Sequence, residues 1–137
     1  MAANTSPIFT RRPNITWASG ITAANTAKDG TGTVDTIFTA DATEGSYLEK
    51  IKIRPKGTNV ASVLRVFINN GSTNATAANN VLFDEIGLPA TTNTEVAAIA
   101  GLVIPMNIAL PAGYKINVTL GTAVAGGYAV AGVGGDY

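Results

Sequence analysis

The side chains that most often carry reactions are scarce in this chain: none of its 137 residues is a histidine or a cysteine. The commonest general base, the commonest neutral metal ligand and the thiolate nucleophile are therefore missing, which leaves carboxylates, lysines and hydroxyls. Asp84 and Glu85 come nearest to a paired carboxylate, but neighbours in a strand point to opposite faces and could not share one scissile bond. Asp35, Asp41 and Glu44 lie close in sequence, yet they lack the dense oxygen-ligand spacing of a calcium loop and read as solvated turn carboxylates. Gly30-Thr31-Gly32 is too short to cradle a phosphate, and Pro55-Lys56-Gly57-Thr58 lacks the preceding glycine of a P-loop. The residues thus assign no catalytic, cofactor-binding or metal site, and the expectation is a protein that is not an enzyme.

Binding chemistry is better represented. Lys50, Lys52, Arg54 and Lys56 alternate along one stretch, so in a strand they form a basic stripe, which Arg65 would join if the next strand were its neighbour. An RNA-binding sheet would interleave aromatics on that same face, and here Leu48 and basic residues occupy those positions. Nine basic and nine acidic residues give a formal net charge of zero, so no overall field attracts nucleic acid or an anionic membrane. Trp17 has two readings. In a strand with Ile15 and Ile21 it reads as core, as a tryptophan usually does; the alternative is a sugar-stacking or interface anchor.

The elements that must position these groups are strands. Short β-rich runs recur between Gly, Asn and Pro clusters from Ile15 onward, the spacing of a sandwich or barrel rather than of βαβ units. Strands are expected at 15–22, 33–40, 46–54, 61–69, 81–88, 102–110, 114–120 and 128–133. Strand 46–54 should place Tyr47, Ile51 and Ile53 opposite Lys50, Lys52 and Arg54, and strand 61–69, apolar on both faces, should be central. Asn69-Asn70-Gly71 and Leu110-Pro111-Ala112-Gly113 read as turns. The alanines of 94–100 could support a short helix, and Pro105 marks a bulge or an edge. About eight strands in one chain predict an all-β fold, a jelly-roll-like sandwich of two antiparallel sheets.

The hydrophobic share is 46% and the charged share 13%, so Thr, Asn, Ser, Ala and Gly must cover the surface, as suits a sheet protein packed against neighbours. Residues 1–14 contain Pro7 and Pro13 and no sustained period; they read as an extended arm ahead of a single domain at 15–137. No basic start followed by an apolar run indicates secretion, so synthesis in a cytoplasm is expected. The longest apolar stretch, 96–110, is interrupted by Gly101, Pro105 and Asn107 and is too short for a membrane helix.

Leu82-Phe83-Asp84-Glu85-Ile86-Gly87-Leu88-Pro89, the run Leu110-Pro111-Ala112-Gly113-Tyr114-Lys115-Ile116-Asn117-Val118-Thr119 and the closing Gly134-Gly135-Asp136-Tyr137 resemble small structural proteins of tailed bacteriophages, among them head-decoration and minor virion proteins. The resemblance implies a jelly-roll-like sandwich made in the bacterial host and assembled on the outer surface of a capsid, commonly as a homotrimer. An N-terminal arm or loops would then grip the major capsid protein. Ile8, Phe9, Arg11, Arg12 and Trp17 are the candidate contacts. The rival expectation is a carbohydrate- or receptor-binding sandwich of a fibre or adsorption device, which aromatics clustered in loops would favour.

Overall fold

A computed structural model describes residues 9–137. Eight strands follow one another: β1 (Arg12–Ile21), β2 (Asp35–Thr39), β3 (Ser46–Pro55), β4 (Ser62–Asn69), β5 (Asn80–Leu88), β6 (Leu102–Leu110), β7 (Lys115–Leu120) and β8 (Tyr128–Asp136). They form two four-stranded antiparallel sheets, ordered β1-β8-β3-β6 and β2-β7-β4-β5. The first strand pairs with the last, the second with the seventh, the third with the sixth and the fourth with the fifth. This nesting is a long hairpin rolled up on itself, the jelly-roll order expected from the strand count.

Alternation builds the core between the sheets. Leu48, Ile51 and Ile53 of β3, Leu64 and Val66 of β4, and Ile116, Val118 and Leu120 of β7 are fully buried there with Phe38 and Tyr128. Gly132 lets the sheets approach, because a Cβ there would lie 2.9 Å from the Ile37 carbonyl. Thr16 Oγ1 donates to the Ile37 carbonyl, and Asn14 Nδ2 to the Thr39 carbonyl. Asn14 and Thr16 of β1 therefore face the opposite sheet.

Two β-bulges change which residues face inward. In β3 the register against β8 shifts between Leu48 and Lys50, leaving Glu49 extra, whereas against β6 the additional residue lies on β6, between Pro105 and Ile108. Leu48 thereby joins Ile51 and Ile53 inside, and Tyr47 is placed outside the core with a hydroxyl donating to Asn107 Oδ1 at 3.1 Å. Simple alternation had put Tyr47 with the isoleucines; the inserted residue reverses it. In β1 the shift falls between Ala18 and Ile21, so Ile21 is buried while Ile15 and Trp17 are not. Trp17 is therefore not a core residue.

Strand boundaries match the expected runs closely, with β1 beginning at Arg12 rather than Ile15. Arg11 N–H also bonds the Asp136 carbonyl at 2.7 Å, so the sheet takes up part of the stretch expected to be an arm. Segment 94–100 is not helical. Asn93 pins it instead, accepting from Ile99 N–H and donating to the Pro55 carbonyl, so side-chain bonds outweigh the helix preference of alanine. Pro105 lies on β6, an edge strand, where a missing N–H is tolerated.

Close packing makes one glycine indispensable. A Cβ on Gly134 would fall 2.1 Å from the Tyr47 carbonyl oxygen, a backbone atom that cannot rotate away. Gly134→Ala is expected to destabilise the fold by about 1–3 kcal/mol, as overpacking does; denaturant unfolding measures this, and an unchanged midpoint would show that β8 and β3 can separate freely.

Candidate protein-binding face

The two outer faces differ. Over the β2-β7-β4-β5 sheet, Phe67, Asn117 and Thr119 are buried although Phe67 lies outside the inter-sheet cluster. Segment 22–34 lies against this side: Asn25 N–H bonds the Leu120 carbonyl, and Arg65 reaches the Asn25 carbonyl. Asn74 donates to the carbonyls of Gly30 and Gly32, and Asn80 to that of Asp29. Amides thus bind loop to loop with uncharged hydrogen bonds.

Among the described residues, no segment covers the outer face of β1-β8-β3-β6 as 22–34 covers the other. Register places Ile15, Val133, Lys50 and Pro105 in one row across the four strands, and Trp17, Ala131, Lys52 and Val103 in the next. Directly opposed residues share a face. Trp17 is 63% exposed, Ile15 53% and Val103 49%, and Ile15, Thr16 and Trp17 line a shallow hollow of about 280 Å³. Large apolar side chains at such exposure on a rigid sheet mark an interaction surface more often than chance.

The basic stripe lies on this face without Arg65. β4 belongs to the other sheet, and there Arg65 Nε donates to Glu85 Oε1 at 2.8 Å. Arg54 donates to the Ile99 carbonyl and Lys56 to the Ser19 carbonyl. Among the described residues, none of Lys50, Lys52, Arg54 and Lys56 has a carboxylate within salt-bridge distance.

The remaining candidate contacts separate. Phe9 is 64% exposed ahead of β1, Arg11 is exposed, and Ile8 lies outside the described residues. Arg12 is engaged within the fold: its guanidinium is 2.9 Å from Asp41 and 3.8 Å from Asp136. The carboxylates considered for chemistry are dispersed or occupied. Glu85 pairs with Arg65, and Asp84 accepts from Glu85 N–H. Asp41 accepts from Thr43 and Glu44 N–H as well as from Arg12. Sequence reasoning missed Val103 and Val133 as members of the face, since only register joins them to Trp17.

A small apolar pocket beneath segment 89–101 is lined by Ile53, Leu88, Ile99, Leu102 and Tyr128. Its volume of about 50 Å³ is well below the roughly 150 Å³ that takes up a benzene-sized molecule. Tyr128 is buried with a hydroxyl that has no hydrogen-bond partner, and burial raises its pKa, an effect that neighbouring Thr91 opposes. Room for water-sized occupants makes this packing space rather than a substrate site.

Two measurements test this arrangement. Trp17 is the chain's one tryptophan, so intrinsic fluorescence reports on it alone. Its emission is expected near that of free tryptophan in water and open to acrylamide quenching, with Trp17→Ala changing stability by less than about 0.5 kcal/mol; blue-shifted, protected emission would place the ring under cover. Hydrogen bonds from Glu44 and Thr43 N–H, with the nearby Arg12 guanidinium, hold the Asp41 carboxyl below its ordinary range. Its stabilising contribution is then complete above the ordinary Asp value of about 3.9 and disappears as pH falls through the lower folded value. A carboxyl-carbon NMR titration should find that depressed midpoint, and Asp41→Asn should remove this part of the acid dependence. Neither a family model, nor a curated protein, nor a solved structure matches this chain.

Proposed function

We propose that this protein is a non-enzymatic virion component that binds the outer surface of a phage capsid as a decoration protein and stabilises the head. The observation that carries the reading is the exposure of Ile15 and Trp17, 53% and 63%, on a sheet face that the described residues leave uncovered. Tryptophan is the residue most enriched among interface anchors, and a strand holds it at little further entropic cost. The resemblance of the C-terminal runs to small phage structural proteins supplies the capsid as partner, and the jelly-roll order agrees with it. Phe9 and Arg11, beside the start of β1, would extend the contact toward a neighbouring capsid subunit.

The mechanism is additive. Each copy buries a modest area across capsid subunits, and lattice symmetry, with the homotrimer that the resemblance implies, multiplies that contact into resistance to internal pressure. The described exposed aromatics, Phe9, Trp17 and Phe83, are not gathered in one loop cluster, which favours a protein surface over the carbohydrate-binding alternative.

Purified protein mixed with capsids that lack it should bind saturably, at a stoichiometry matching the lattice symmetry axes, and should raise the capsids' resistance to heat. Trp17→Ala should cost at least about 2 kcal/mol of binding, a roughly thirty-fold loss. Absence of capsid binding together with selective glycan binding would replace this reading with the receptor-binding one.

A further inference from the structure

The chain is neutral as a whole, yet its charges are not evenly mixed. On the outer face of β1-β8-β3-β6, Lys50, Lys52 and Arg54 stand at alternate positions of β3, with Lys56 just beyond. Opposite them on β8 are Val133, Ala131 and Ala129, and on β6 Pro105 and Val103 face Lys50 and Lys52. Glu49, extruded at the bulge, is the single carboxylate of β3. The cations of Arg12 and Arg65 are matched by carboxylates inside the fold; those of the stripe are not.

The face also has relief. Ala129, Ala131 and Val133 form a low floor along β8, between Ile15 and Trp17 on β1 and the lysines of β3. Two strand spacings, about 9–10 Å, separate those walls at the backbone. A side chain laid over Ala131 would meet an indole on one side and an ammonium group on the other. Alternate residues of a strand lie roughly 7 Å apart, so the cations repeat at the same spacing as alternate side chains of another extended segment.

From this charge and shape we infer that the face receives an acidic protein segment, with carboxylates over Lys50 and Lys52 and an apolar or aromatic side chain in the channel beside Trp17. The inference rests on the proposed surface-binding role and names the chemistry of the partner. Nucleic acid fits less well. The stripe is one strand long, the aromatics described on this face, Trp17 on β1 and Tyr47 at the start of β3, do not interleave with its cations, and the neutral chain has no extended basic field to follow a phosphate backbone.

The test uses defined polyanions and no capsid, so its failure is separate from failure of the decoration reading. Immobilised protein is titrated with poly-L-glutamate, random poly(Glu,Tyr) copolymer, polygalacturonate and duplex DNA at low and moderate salt. Poly(Glu,Tyr) should bind best, and more weakly as salt rises. Lys50→Glu and Lys52→Glu should each reduce its affinity at least tenfold, with Lys52→Gln intermediate. Trp17→Ala should abolish its advantage over poly-L-glutamate, whereas Lys115→Glu, on the other sheet, should change little. Thermal midpoints of the variants establish that each is folded. No binding by either glutamate polymer, binding indifferent to Lys50 and Lys52, or tighter binding of polygalacturonate or DNA would overturn the inference.

Discussion

The pairing of β1 with β8 is the constraint on which the rest of the structure depends. Eight aligned residue pairs, from Arg12 with Asp136 to Ile21 with Tyr128, hold the first strand to the last. Without it β8 would lose one of its two neighbours, and Ile15 and Trp17 would have no fixed position. The pairing closes at a polar corner, where Asp136 Oδ1 accepts from Asn14 and Ser46 while Arg12 bridges toward Asp41. Such exposed ion pairs contribute little energy by themselves. In the register they accompany, Trp17 lies opposite Ala131.

With no cysteine to cross-link it, the fold relies on burial and on uncharged hydrogen bonds. The apolar cluster between the sheets supplies the first, at roughly 25 cal/mol for each Å² withdrawn from water. Asparagine supplies much of the second. Asn59, Asn74 and Asn80 bond backbone groups of distant segments, and Asn25 bonds carbonyls within its own loop, so the carbonyls of long connections are satisfied without charge. A surface composed in this way can press closely against a neighbour, because few ions must be stripped of water at the contact.

Much of the fold was legible in the sequence, and the exceptions have definite causes. Period-two alternation and turn residues located all eight strands, and strand 61–69, read as central, is β4, seated between β7 and β5. Two inserted residues defeated alternation. Glu49 reversed the assignment of Tyr47, and the irregularity before Ile21 separated it from Ile15 and Trp17. A bulge leaves no reliable mark in a single sequence, since it depends on how two strands meet. The short helix that the alanines of 94–100 could have supported does not form, because Asn93 offers the backbone a competing set of bonds. For the binding face, the stripe on β3 was legible, but its neighbours were not: only topology brings β8 and β6 beside it and sends Arg65 to the other sheet.

The nested strand order also governs how the molecule is made. In the sheet that carries the open face, the seat between β1 and β3 belongs to β8, the last strand to be synthesised. Neither β1 nor β3 can complete its pairing before β8 has been made, and a nascent chain lacking β8 holds two unfilled strand edges beside an exposed tryptophan. Folding of this sheet therefore waits for β8, and the dominance of distant pairings slows it. Until β8 docks, protection from aggregation must come from dilution or from the cell's chaperones.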